Sequence, residues 1–186
     1  RTITHRWCNE VVKYYTGELG FFGSKIAFVS KKKGASTVMA VDFDGANPYA
    51  ISRNTSTNML PSWSPGGGSI AYTSFRRGGA NLFISNIFQG TLDEVTKGDK
   101  VGENWLPAWS PDGTRLAFSS TRDGNPEIYI VNRDGSGLRR ITNNPSIDIT
   151  PTWSPSGTQI AFTSDRSGTP QAVAVGSVSA SSPVAT

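Results

Sequence analysis

The sequence predicts an all-β fold, a β-propeller with one short helix ahead of it, and three observations predict it. The first is a repeat: LPSWSPGGGSIAYTS, LPAWSPDGTRLAFSS and TPTWSPSGTQIAFTS are one motif written three times, with Trp63, Trp109 and Trp153 spaced about 45 residues apart. Ala71, Ala117 and Ala161 keep that spacing, and Ala27 in SKIAFVS opens a further copy one interval earlier. The second is strand-like patterning, since IAFVS, IAYTS, LAFSS and IAFTS are short apolar runs closed by polar residues. The third is punctuation: each run is followed by turn chemistry such as TRDGN or DRSGT.

Counted from the IAF-type run, each unit reads as four strands. A second apolar run follows the first, as VMAV, NLFIS, EIYIV and more weakly AVAV. After a turn such as FDGAN or RDGSG comes a short third strand ending in YAIS, DEVT or RRIT, and the fourth strand carries the tryptophan. In WSP followed by Gly-Gly, Asp-Gly or Ser-Gly, proline fixes φ and glycine accepts positive φ, which makes a tight turn between two strands. Trp63, Trp109 and Trp153 are therefore expected to pack between sheets as structural residues, each hiding roughly 150–250 Å².

Residues 1–22 differ in kind. Trp7, Val11, Tyr14 and Tyr15 fall at helical intervals, Thr2 or Thr4 is placed to cap the helix start, and Gly17 sits where a C-terminal cap glycine belongs. The helix is expected to pack on the sheets or to close a preceding domain. The domain reading is thus helix and linker over 1–22, propeller over 23–175 with three full repeats and part of a fourth, and a Ser/Ala/Val tail over 176–186.

Composition excludes several classes. A chain of 186 residues with 36% apolar and 17% charged residues is neither disordered nor collagen-like. Its net charge of +4 is dispersed, with Lys31, Lys32 and Lys33 as the one tight basic run, so nucleic acid is not an expected partner. No apolar stretch approaches the roughly 20 residues needed to span a bilayer. Cys8 has no second cysteine to pair with, which fits a reducing cytoplasm or a thiol-poor periplasmic protein alike. The opening RTITHRWC has no methionine or apolar signal region, so a removed leader or a longer parent chain is expected.

No catalytic residue, metal site or cofactor is expected. Gly135–Ser136–Gly137 belongs to a turn rather than a nucleophile elbow, and the sole histidine, His5, lies in the helix as a surface or interface residue. Asp42 and Asp44 have oxygens for a calcium ion, but aspartates before glycine more often stabilise the turn itself. Arg76, Arg122 and Arg166 recur at one place per unit; they read as an anion-binding ring or, the preferred reading, as staples from the hairpin to the next sheet. Trp105 stands outside the repeated tryptophan positions, where a large aromatic suits an interface.

The WSP turns, the IAF-type runs, the SFRRG, STRDG and SDRSG hairpins and the Asp-Gly turns together resemble the TolB-type propeller repeat. The lead segment HRWCNEVVKYYTGELGFFGSKIAFVS is similar to the junction in the TolB family, where the last helix of an N-terminal α/β domain runs into the first blade. The resemblance extends to about Val175. It implies a six-bladed ring, a periplasmic location, no chemistry, and membership of the Tol-Pal system. It also implies docking of peptidoglycan-associated lipoprotein (Pal), with TolA engaged through a more N-terminal region. The binding face it implies is formed by loops entering the tryptophan strands: Asn58, Met59 and Leu60; Glu103, Asn104, Trp105 and Leu106; Asp148, Ile149 and Thr150. Glu103 stands where the family pattern calls for histidine, and after Pro170 the repeat loses its Tyr and Asp-Gly signals. An open arc would leave the faces of its end sheets without a neighbour, to be covered by further residues, a second copy or a partner. The alternative readings are the propeller of a prolyl-oligopeptidase-like serine peptidase and a carbohydrate-binding propeller.

Overall fold

A computed structural model describes residues 2–18, 20–32, 34–97, 102–175 and 178. Helix α1 (Thr2–Thr16) leads into four antiparallel sheets. The first contains β1 (Lys25–Lys32), β2 (Ala35–Asp42) and β3 (Tyr49–Ala50), and the second β4 (Asn58–Trp63), β5 (Ser69–Ser74), β6 (Asn81–Asn86) and β7 (Leu92–Glu94). The third contains β8 (Asn104–Trp109), β9 (Arg115–Ser120), β10 (Glu127–Asn132) and β11 (Arg139–Arg140), and the last β12 (Asp148–Trp153), β13 (Ile160–Ser164) and β14 (Gln171–Val175). Within each sheet the strands follow chain order, and β4, β8 and β12 lie against one another as the inner strands of neighbouring sheets. This is a propeller arrangement.

The phase of the repeat differs from the sequence expectation. Each tryptophan strand opens the sheet of the IAF-type run that follows it, rather than closing the sheet of the run before. The turn is the reason: Ser64 N donates to Ser69 O at 2.9 Å and Gly67 N to Ser64 O at 2.9 Å, so β4 has no slack to do anything but fold back on β5. Gly67, Gly113 and Gly157 carry that turn at φ of +67°, +69° and +70°, a region other side chains enter at a cost of about 1–2 kcal/mol. The long links fall instead between sheets.

Apolar layers fill the gaps between sheets. Ala71, Leu82 and Ile84 of the second sheet meet Trp109, Leu116, Phe118, Tyr129 and Val131 of the third. The next gap holds Ala117, Ile128 and Ile130 against Trp153, Ile160 and Phe162. Each indole also reaches across: Trp109 Nε1 donates to Ser62 O and Trp153 Nε1 to Ala108 O, both at 3.1 Å, and Arg133 and Arg115 stack on these rings at 5.4 and 4.8 Å. Burying one indole contributes on the order of 4–6 kcal/mol before chain entropy is set against it. Trp63 packs against the layer between the first two sheets, yet its Nε1 is buried with no partner among the described residues. The first sheet, as described, has no inner strand to offer the carbonyl that Ser62 and Ala108 supply elsewhere.

Helix α1 ends as expected, with Gly17 at φ +77° and its N–H bonded to Lys13 O at 2.9 Å. Thr4 lies inside the helix and caps nothing. The aromatic residues do not pack on the sheets: Trp7, Tyr14 and Tyr15 are 67%, 84% and 80% exposed. The docking is polar instead. His5 Nε2 lies 3.3 Å from Asp44 Oδ2, its ring meets Phe43 edge-on, and Asn9 Oδ1 accepts from Phe22 N at 3.0 Å. The turn between β2 and β3 presents a carboxylate and one ring at this point, so a polar helix face matches it better than an aromatic one. Asp42 holds Lys25 and Asn47, and Asp44 Oδ1 accepts from Ala46 N at 3.0 Å, so both serve the turn. Ile26 and Phe28 of β1 stay exposed. Lys33 and the tail lie outside the described residues except Val178, which is buried in the last layer. Among the described residues no helix is long and apolar enough to cross a membrane.

Two predictions test this architecture. Glu127 is fully buried at the start of β10, where its carboxylate accepts from Arg140 Nη2 at 2.7 Å, Asn144 N at 2.7 Å and the Thr142 hydroxyl. Glu127→Ala leaves these donors without an acceptor and should cost about 3–5 kcal/mol in a denaturant titration; Glu127→Gln, which keeps one oxygen, should cost less. Asp112 closes its WSP turn by accepting from the Ser110 hydroxyl and from Thr114 N, which holds its carboxyl down to about 2, well below the ordinary 3.8. A lowered carboxyl stabilises the fold above its unfolded value and stops doing so as pH falls through the folded value. The stability advantage over Asp112→Ala should therefore be full above about pH 4 and shrink on acidification toward pH 2, measured by thermal unfolding across that range.

Candidate functional site

The three inner strands share one local defect, and its cause is visible in LPSW, LPAW and TPTW. Proline has no N–H for the ladder, so pairing breaks at Pro61, Pro107 and Pro151. In each strand two residues pair, the register shifts, and two more pair: Met59 faces Thr73 and Ser62 faces Ala71, with the same step between Trp105 and Ala108 and between Ile149 and Thr152. The residue before each proline takes the left-handed region, with φ of 56° at Leu60, 58° at Leu106 and 54° at Thr150. None is glycine, so each is strained by about 1–2 kcal/mol, and the strain is repeated at one place on three strands.

These bulges converge. Leu60, Pro61 and Ser62, Leu106 and Pro107, and Thr150 and Pro151 line one cavity of about 260 Å³ between the inner strands. Thr150 Oγ1 donates to Thr163 Oγ1 at 2.7 Å beside it. Backbone groups released from the ladder by a bulge can bond to something else, and leucine and proline side chains supply an apolar rim.

The residues expected at this face divide by burial. Except for Glu103 they sit on strands β4, β8 and β12, not on the loops entering them, because pairing begins before the bulge. Asn58, Asn104 and Asp148 are fully buried and serve the sheets. Asn58 Nδ2 donates to Ser36 O at 2.9 Å; Asn104 Oδ1 accepts from Arg122 Nη2 at 2.7 Å; Asp148 Oδ2 accepts from Arg166 Nη2 at 3.0 Å. Met59, Trp105, Leu106 and Ile149 are half-buried, and Leu60 and Thr150 are exposed. Glu103 is half-buried, with its N–H donating to Thr121 Oγ1 at 2.9 Å. Trp105 occupies the step that Met59 and Ile149 occupy in their strands, so the backbone position repeats while the tryptophan there does not.

The arginines staple, but within one sheet. Arg122 and Arg166 tie their hairpins to the inner strand of their own sheet, not to the next one, because that strand belongs to the same sheet. The three prolines are the site residues that sequence reasoning passed over, and a proline two residues before each repeated tryptophan was the signal for them.

Comparison with known proteins agrees with this geometry. A family profile described as "TolB beta propeller domain" matches residues 12–184. The Tol-Pal system protein TolB of Desulfosudis oleivorans is 45% identical over 87 residues, 47% of this chain and 20% of that protein. The protein of the same name from Anaeromyxobacter dehalogenans is 36% identical over 150 residues, 81% of this chain and 34% of that protein. The crystal structure of TolB from Acinetobacter baumannii superposes with a TM-score of 0.81 at 30% identity, over 95% of this chain and 45% of that one. This chain thus spans less than half the length of these relatives. With the repeated tryptophan turns, four antiparallel sheets and a profile match across most of its length, the chain belongs to the TolB β-propeller family.

Proposed function

We propose that this chain is a non-enzymatic, protein-binding propeller of the Tol-Pal system. In this reading it works in the periplasm, docks peptidoglycan-associated lipoprotein on the bulged face of its inner strands, and so supports outer-membrane integrity. The observation that carries the reading is the threefold bulge: strained, partly apolar steps at Leu60, Leu106 and Thr150 around one mouth, in a chain of the TolB family. The accessible members of the face are Met59, Leu60, Glu103, Trp105, Leu106, Ile149 and Thr150. Asn58, Asn104 and Asp148 act beneath them by holding the strands in register.

Two variants separate binding from stability. Trp105→Ala should weaken capture of a lipid-free Pal by roughly 30-fold, about 2 kcal/mol, in a calorimetric titration, while circular dichroism shows the fold retained. An unchanged affinity removes this face from the docking role. Thr150→Asn should do the opposite to the free chain. Asparagine tolerates left-handed backbone where a β-branched residue does not, so the thermal midpoint should rise by about 2–4 °C.

A further inference from the structure

The first two sheets enclose a second cavity, of about 240 Å³, that shares no lining residue with the mouth between the inner strands. It opens toward the outer strands β3 and β7. Tyr49, Ile51 and Arg53 line one side, and Tyr72, Arg76 and Leu92 are among those lining the other. The lining combines the cations of Arg53 and Arg76 with the apolar side chains of Ile51, Ile87 and Leu92 and the polar Ser85 and Asn86.

The same place between the second and third sheets shows what is unusual here. There, the Tyr129 hydroxyl donates to Asp123 Oδ2, and Arg122, stacked on Tyr129 and Phe118, gives its guanidinium to Asn104 and Ser120. Every polar group named is answered from within the chain. Arg76 is the counterpart of Arg122 and stacks on Phe83 at 5.3 Å, but Asn58 Oδ1, the counterpart acceptor, is taken by Asn54 Nδ2 at 3.2 Å. Arg76 and Arg53 are exposed, and among the described residues their guanidinium groups have no hydrogen-bond or ion-pair partner. Tyr72 completes the set. It is fully buried, its hydroxyl has no partner among the described residues, and phenylalanine stands at the equivalent Phe118 and Phe162. An unanswered buried hydroxyl costs about 1–3 kcal/mol, which a phenylalanine there would avoid. Burial pushes the phenol up to about 12 despite the opposing charge of Arg76, so at neutral pH it is a donor.

We infer that this cleft between the first and second sheets binds a small carboxylate on a short apolar stem, with Arg76 and Arg53 taking the charge, Tyr72 donating to it, and Ile51 and Leu92 lining the stem. At about 30 Å³ for each water displaced, the cleft has room for roughly eight waters. That is enough for hexanoate, or for the side chain and carboxylate of a terminal leucine whose remaining atoms extend through the open side. A free carboxylate of this kind comes either from a short fatty acid or from the end of a peptide with an apolar last residue; the chemistry recognised is the same.

The test uses the full chain and three probes in calorimetric titration: hexanoate, N-acetyl-leucine and its uncharged amide, with inorganic phosphate as a charge-only control. Saturable one-site binding of hexanoate or N-acetyl-leucine is expected, with the tighter of the two naming the source, and at least tenfold weaker binding of the amide and of phosphate. Arg76→Ala should lower carboxylate affinity at least tenfold. Tyr72→Phe should lower it about fivefold while raising the thermal midpoint of the free chain, a pairing that loss of fold does not produce. No saturable binding, equal binding of the amide or phosphate, or unchanged affinity in Arg76→Ala overturns the inference. None of these outcomes bears on Pal docking, which uses other residues.

Discussion

The indole N–H of Trp109 on the carbonyl of Ser62, repeated by Trp153 on Ala108, is the link on which the remaining structure depends. Each sheet has one buried face toward the sheet before it, and apolar layers alone hold such faces together without choosing how they slide. A directional bond from a side chain that also fills the layer removes that freedom. The arginine stacked on each indole, Arg133 or Arg115, covers its outer side. Position of the inner strands follows from this link, and position of the bulges follows from the inner strands.

Buried polar groups then set the finer geometry. Asn104 and Asp148 take guanidinium groups from Arg122 and Arg166, so the start of each inner strand is pinned to the hairpin across the sheet. Asn58 does the same work differently, through Asn54 and the Ser36 carbonyl of the first sheet. A rigid frame of this kind can sustain left-handed backbone at leucine and threonine, which a looser one would relax. Rigid support beneath an exposed apolar step is what a docking face needs, since little order remains to be imposed when a partner arrives.

Much of the fold was legible in the residues. Tryptophan spacing, apolar runs and glycine-containing turns located the strands, because each signal reports a local backbone requirement. Phase was not legible: a periodic pattern has no beginning, and only the hydrogen bonds of the Ser64–Ser69 turn assign β4 to β5. Burial along the inner strands was not legible. Asn58, Asn104 and Asp148 read as surface residues because they are polar; the partners that satisfy them once buried, Arg122 and Arg166 on a hairpin for Asn104 and Asp148 and the Ser36 carbonyl of the first sheet for Asn58, lie far along the chain. Left-handed backbone at Leu60, Leu106 and Thr150 carries no compositional mark beyond the proline that follows. Helix α1 misled for a related reason, since helical spacing shows that Trp7, Tyr14 and Tyr15 share a side but not what that side meets.

The direction of the tryptophan link carries a consequence for synthesis. Donors lie on the later sheet and acceptors on the earlier one, so a nascent chain emerging from the ribosome always finds the receiving carbonyl already made. Each sheet can dock on its predecessor as soon as its own hairpins close, without waiting for residues still to be translated. Accretion in this order adds one growing apolar face at a time to the end of the arc, which limits the window for aggregation there.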